Sequence, residues 1–139
     1  MKPNHSQESF KAPSEQQVHA FVTEDASARA MIECADDLGR HLKNKKVTTS
    51  QIRNAYGNMK KLEMAGWQGN RTQREMLLLK PRLAYAAGRQ QDWATKEGLE
   101  NLRQVIDNAI NAVTDEESFK RFCQFFEAII AYHKAAGGK

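Results

Sequence analysis

Arginine side chains recur at helical spacing near the middle of this sequence, and they are the residues best suited to chemistry with a charged ligand. A guanidinium group meets phosphate oxygens through two parallel N–H donors, so a strip of arginines predicts contacts with successive phosphates. Tyr85 lies within the strip, and two alternatives remain for its ring: stacking on a base or ribose, or packing in the core. The strip has steps of 3, 4, 4, 3 and 4 and comprises Arg71, Arg74, Leu78, Arg82, Tyr85 and Arg89.

Positive charge is concentrated around this strip. Eleven Lys or Arg residues lie from Lys43 to Arg89 against two glutamates, which gives this segment a net charge of +9. The rest of the 139-residue chain carries ten basic and fifteen acidic residues, so the total is only +4. Such asymmetry indicates one face suited to a polyanion, and the alternative is a lysine-rich surface that is merely solvated.

Residues for metal or covalent chemistry do not converge in the sequence. The four histidines are scattered, and the two cysteines lie on apolar helix faces without CxxC or HExxH spacing. Asp36 and Asp37 point about 100° apart on a helix, and the acidic residues 115–117 suit the first turn of a helix. We therefore predict no catalytic residue, no metal and no cofactor, and a protein that is not an enzyme.

The chain shows no sequence signal for a membrane or for export. Its longest apolar run, Met76 to Leu79, is far too short to span a bilayer, and the N-terminus lacks the apolar region of a signal peptide. We expect a cytoplasmic protein with no membrane partner.

Apolar residues at three- and four-residue steps predict the elements that position the basic residues. The expected fold is all-α, a compact bundle of about five helices in a single domain over 23–139, preceded by a flexible polar arm over 1–22. The helices are predicted to begin near Glu24, after a capping box of Thr48 and Gln51, near 70–72, near 95, and after a capping box of Thr114 and Glu117.

Pro81 leaves two interpretations of the third helix, which is predicted to end at Gly88. A proline inside a helix removes one hydrogen bond and kinks the axis. In the first turn of a restarting helix it is well tolerated. Either arrangement redirects Arg82 and Arg89 relative to Arg71 and Arg74.

A DNA-binding alternative rests on the second helix. Residues 49–61 have a Thr/Ser cap, an exposed arginine and a basic end, as in the recognition helix of a helix-turn-helix regulator, although the preceding LKNKK is not a typical tight turn.

Three segments, in this order, resemble one family. They are TTSQIRNAYGNMKKLE (48–63), LLLKPRLAYAAGRQ (77–90) and FEAIIAYHKAAGGK (126–139). Together they resemble the small subunit of type III-A CRISPR effector complexes, over about residues 28–139. The resemblance implies an all-helical, non-catalytic subunit of an antiviral ribonucleoprotein, present in several copies stacked along the crRNA. It also implies partnership with the other subunits of the complex, and contact with the crRNA and target RNA backbone without reading the sequence.

The charge pattern and the resemblance together predict which residues bind RNA. We expect Arg53, Lys60, Lys61, Arg82 and Arg89 to bind RNA, supported by Lys45, Lys46 and Lys80. The small residues in 84–88 and 135–138 would suit close contacts between copies. The alternative is a purely structural helical subunit whose basic strip docks on acidic surfaces of partner proteins.

Overall fold

The computed structural model describes residues 10–139, and these form an all-helical fold without a strand. Seven α-helices and one 3-10 turn at Asp25–Ser27 follow one another with short connections. All seven helices contribute to one continuous apolar core. The helices are α1 (Glu15–Thr23), α2 (Ala28–Asn44), α3 (Thr49–Ala65), α4 (Asn70–Leu77), α5 (Leu79–Gly88), α6 (Trp93–Asn111) and α7 (Glu116–Ala135).

Helix α1 forms the end of the polar arm predicted over 1–22, the part in which Val18, Phe21 and Val22 are predicted to dock on the body. Ser14 and Gln17 form a capping box at its start, and Val18, Phe21 and Val22 are buried where α1 packs on α6 and α7. The Phe21 ring lies 5.4 Å from that of Phe125 in an edge-on arrangement. Burial of three large side chains holds this short helix, which would not be stable alone. The first nine residues of the predicted arm lie outside the described residues.

Helices α2 and α7 form the most extensive contact of the fold. They approach closely at Gly39, where a Cβ atom would lie 2.7 Å from the backbone nitrogen of His133 and 2.8 Å from Cβ of Tyr132. Leu38 and Leu42, four residues apart on α2, are fully buried. The sequence showed a glycine at position 39 but not which helix it faces.

The predicted third helix is two helices, α4 and α5, separated at Leu78. Pro81 is the third residue of α5, so the structure selects the second interpretation of this proline. It has no N–H to donate to the carbonyl of Leu77, four residues earlier, and its ring would clash with that carbonyl. A helix therefore ends near Leu77, and a new one begins where the missing donor costs nothing.

The ends of the remaining helices follow local capping chemistry. Thr48 precedes α3 as predicted, with its backbone N–H donating to Gln51 Oε1 at 2.8 Å, and Gly66 ends α3 at a φ of 85°. The predicted capping box of Thr114 and Glu117 is wrong by one position. Asp115 is the N-cap of α7 and accepts from the backbone N–H of Ser118 at 2.9 Å.

Candidate nucleic-acid interface

Most of the basic side chains in the 43–89 segment have no carboxylate partner within residues 10–139. Lys45 contacts Glu97 at 2.6 Å, and Lys60 contacts Glu63 at 2.8 Å and Glu127 at 3.3 Å. The other nine of the eleven lie on exposed or half-buried positions without an ion pair to any described residue. Their charge is therefore available to a ligand.

Lys60 is held between two carboxylates rather than left free. Hydrogen bonds with Glu63 and Glu127 raise its pKa above the ordinary lysine value. Because Glu127 lies on α7, the contact joins α3 to α7. The sequence contains no signal for this pair, since its members are 67 positions apart.

Several acidic residues outside this segment are paired with cations. The side chain of Arg121 reaches Asp25 at 2.8 Å and lowers the pKa of that carboxyl group. Six further carboxylates take part in pairs within a helix. These are Arg40 with Asp36 and Asp37, Arg103 with Glu100 and Asp107, and Lys120 with Glu116 and Glu117.

The basic loop between α2 and α3, residues 45–48, is fixed by contacts from two helices. Thr95 Oγ1 lies 3.3 Å from the Lys45 carbonyl oxygen, and His133 Nε2 donates to the Val47 carbonyl at 2.7 Å. Lys46 adopts a left-handed backbone with a φ of 64° and its side chain is exposed. The loop therefore presents Lys46 to solvent on a rigid support, whereas Lys45 is turned to Glu97.

Helix α5 carries the exposed part of the predicted strip. Tyr85 is 68% exposed, so the structure does not place its ring in the core. The guanidinium of Arg89 lies over this ring, 5.7 Å from its centre. Arg82 is half-buried on the same side of α5.

A groove of about 710 Å³ separates α5 from α3, and two of the predicted residues lie in it. Arg82 lies on α5 and Arg89 is the residue that caps its C-terminal end, and none of the described residues that line the groove is acidic. Sequence reasoning missed the polar residues on the α3 side. The signal was present as Ser50 and Asn54, four residues apart and so on one helical face. The lining is Ser50, Gln51, Asn54, Pro81, Arg82, Tyr85, Ala86, Arg89 and Gln90.

The other predicted residues do not line this groove. Arg53 is exposed beside Asn54, and Lys61 follows Asn54 by two helical turns on the same side of α3. Lys80 donates a hydrogen bond to Asn111 of α6. Arg71 and Arg74 are exposed on α4, beyond the break at Leu78, so the six residues do not form the single-helix strip that was expected.

The geometry of α2 and α3 does not favour a helix-turn-helix. In that motif two helices joined by a tight turn pack on each other. Here α2 packs mainly on α7 and α6, whereas α3 packs on α5 and α7. The DNA-binding alternative has no support from this arrangement.

Some of the small residues assigned to contacts between copies are used inside the chain. Ala87 is fully buried, and Gly138 covers the ring of His133, where a Cβ would lie 2.3 Å from two ring atoms. Gly88 is exposed with open space around it. Ala87 and Gly138 therefore contribute to packing within the chain.

The cysteines have the properties of core residues. Burial raises the pKa of Cys34 to about 12, and burial raises that of Cys123 to about 12 as well. Both thiols are protonated at neutral pH and are thus poor nucleophiles and ligands. From residue 10 onward, no group of three or more His, Cys, Asp or Glu side chains is placed to hold a metal ion.

Comparison with known proteins identifies a family for this chain. A family model described as Csm2 Type III-A matches residues 25–139. The chain belongs to the Csm2 family of type III-A CRISPR systems. This confirms the resemblance found in the three sequence segments, and the matched region spans every α-helix except α1.

A curated relative supports the same family. The "CRISPR system Cms protein Csm2" of Streptococcus thermophilus is 38% identical over 61 residues, which is 44% of this chain and 47% of the relative. The match thus spans about half the length of that Csm2 protein. No solved structure matches this chain. Within residues 10–139, none of the helices combines the length and apolarity needed to cross a bilayer.

Proposed function

We propose that this Csm2-family chain is a non-catalytic small subunit of a type III-A CRISPR ribonucleoprotein. In this role it binds the phosphate backbone of the crRNA and its paired target RNA, beside further copies of itself and the other subunits of the complex. Binding is independent of base sequence because phosphate contacts carry no sequence information. The protein would thereby support antiviral defence.

The observation that carries the proposal is the set of cations on α3, on α5 and at the ends of these helices that form no ion pair with a described residue. Arg53, Lys61, Arg82 and Arg89 have no carboxylate within ion-pair distance among the described residues, and Lys46 and Lys80 extend the positive surface. Unpaired arginines on a rigid helical support suit phosphate binding. Lys45 and Lys60 contribute less, because each already has a carboxylate partner.

The test compares two double variants within the assembled complex. Arg82→Ala with Arg89→Ala removes two groove cations, whereas Arg29→Ala with Lys134→Ala removes two exposed cations outside the 43–89 segment. We expect the groove variant to lose about tenfold in RNA affinity per arginine, since hydrogen bonds to charged groups contribute about 1.5–3 kcal/mol. The control should bind as the wild type does.

The purely structural alternative makes a different prediction. In that case the groove variant would bind RNA normally but would assemble poorly, and crosslinkers placed at position 82 would reach protein and never RNA. Equal RNA affinities of the two variants in a fully assembled complex would contradict the proposal.

A further inference from the structure

The α3–α5 groove has features that backbone binding alone does not require. Backbone binding needs exposed cations on a surface, whereas this groove is a concave site of about 710 Å³ with an aromatic side chain at its edge. Sites of a few hundred to a thousand cubic ångströms are typical for small molecules. The volume of this groove is large enough for one nucleotide.

The hydrogen-bonding groups of the groove fall into two classes. Gln51 and Gln90 are already occupied: Gln51 Nε2 donates to Gln90 Oε1 at 3.2 Å, and Gln90 Nε2 donates to the Ala86 carbonyl at 3.0 Å. Because Gln51 Oε1 also accepts from the Thr48 N–H, this series of hydrogen bonds fixes both glutamine side chains.

The remaining polar side chains form no hydrogen bond with any described residue. The amide of Asn54 and the hydroxyl of Ser50 make no side-chain hydrogen bond within residues 10–139, nor does the guanidinium of Arg82. An amide offers a donor and an acceptor together, which matches the edge of a base. A guanidinium matches a phosphate.

Tyr85 supplies a surface for stacking. Its ring is 68% exposed, and Arg89 covers one face at 5.7 Å, which leaves the opposite face for a ligand. An exposed aromatic ring beside cations is the usual platform for single-stranded nucleic acid, because each base has a π-face. Bases within a duplex are stacked on their neighbours and do not offer that face.

We propose that the α3–α5 groove binds one unpaired RNA nucleotide, with its base on Tyr85 and at Asn54 and its phosphate at Arg82. This inference rests on the proposed function, since RNA must reach this face of the chain. It adds a ligand class, the unpaired nucleotide, to a surface otherwise suited to any phosphate backbone.

The test uses the full chain with a single-stranded RNA and with the same RNA in a duplex. Tyr85→Leu removes the π-face, and Tyr85→Phe keeps it. Trp93→Leu is the matched control, because Trp93 is an aromatic residue that is 76% exposed outside the groove. A 2-aminopurine base in the single strand reports stacking through its fluorescence.

We expect Tyr85→Leu to weaken single-strand binding about 5- to 100-fold, the effect of losing one stacked base, while duplex binding is unchanged. Tyr85→Phe and Trp93→Leu should stay within about twofold of the wild type, and 2-aminopurine quenching should disappear only with Tyr85→Leu.

Three outcomes would overturn the inference: equal losses on single strand and duplex, no loss for Tyr85→Leu, or loss of binding to another subunit without loss of RNA binding. If the arginine variants still lose RNA affinity while Tyr85→Leu does not, the inference fails and the proposed function stands. If none of these variants affects RNA binding, both fail.

Discussion

The guanidinium carbon of Arg89 lies 5.7 Å from the centre of the Tyr85 ring, one turn earlier on α5. Both side chains are exposed, and neither takes part in the core. A cation over an aromatic face is favourable, but at an exposed site it contributes only about 0.5–1 kcal/mol. We therefore expect substitutions at this pair to change RNA binding and to leave the fold intact. Effects on binding can thus be separated from effects on folding.

Neighbouring lysines on α3 should differ in their contribution to RNA binding. Lys60 is engaged by Glu63 and Glu127, whereas Lys61 is exposed and has no ion pair to a described residue. We expect Lys61→Gln to weaken RNA binding more than Lys60→Gln, although both remove one charge. Fluorescence anisotropy with a labelled RNA measures the difference, and a larger loss for Lys60→Gln would show that Lys60 leaves its carboxylates when RNA binds.

Two glycines on neighbouring helices should respond oppositely to alanine. At Gly39 an added Cβ meets the α7 backbone at 2.7 Å, whereas at Gly57 nothing lies within 4 Å. Overpacking at a close helix crossing costs about 1–3 kcal/mol, so Gly39→Ala should lower the free energy of unfolding by that amount. Gly57→Ala should leave it unchanged or raise it by up to about 1 kcal/mol, because alanine favours the helix. Urea unfolding distinguishes the two, and equal effects would contradict the α2–α7 contact described here.

Helix α1 should contribute to stability as part of the core. Phe21 is 5% exposed and contacts Phe125. We expect Phe21→Ala to lower the free energy of unfolding by about 3 kcal/mol or more, as for other buried aromatic residues. Gln16→Ala, on the exposed side of the same helix, should change it by less than about 0.5 kcal/mol. If thermal unfolding gave Phe21→Ala the same midpoint as the wild type, residues 15–22 would be a loose arm after all.

His41 should make part of the stability depend on pH. Burial lowers its pKa, and the hydrogen bond that Nε2 donates to Asn101 Oδ1 at 2.7 Å opposes this shift only in part. The folded state therefore favours the neutral ring. The contribution of His41 to the free energy of unfolding is complete above the unfolded-state pKa of about 6.5. It is lost as the pH falls below about 6.5 towards the lower pKa of the folded state.

Unfolding measured from pH 7.5 to pH 5 tests this prediction. His41→Gln should lose less stability over that range than the wild type. His19→Gln is the control because His19 is exposed on α1, and it should follow the wild-type curve. Identical curves for all three proteins would remove His41 as a cause of acid sensitivity.

The sequence predicted the buried faces of the later helices well, because apolar residues at three- and four-residue steps leave few alternatives. Leu99, Leu102, Ile106, Ile110 and Val113 follow such steps and are all buried, as are Phe119, Phe122 and Phe126. Helix α1 was missed because it is short and flanked by polar residues, and its burial depends on α6 and α7. The break at Leu78 followed from Pro81, but local chemistry alone allowed a kink as well.

The positive charge of the candidate site could be predicted from the sequence, but the positions of its side chains could not. The density of Lys and Arg between 43 and 89 predicted a basic surface, and the match to Csm2 assigned the chain to a family. Three arrangements depend on which helices are neighbours. Lys60 faces Glu127, Lys45 faces Glu97, and Ser50 and Asn54 lie opposite Arg82. No local pattern encodes such contacts between distant parts of the chain.

The salt dependence of RNA binding tests the central claim most directly, with the full chain and a single-stranded RNA. One variant carries Gln at four interface positions, Arg53, Lys61, Arg82 and Arg89. The control carries Gln at four exposed positions outside the segment, Lys11, Arg29, Lys96 and Lys134.

If the four interface residues contact phosphates, the slope of log affinity against log salt should fall by about 0.7 for each contact removed, or about 3 in total. The control variant, with the same net charge, should keep the wild-type slope. Equal slopes for the two variants would show that RNA responds to overall charge and not to this surface, and would contradict the account.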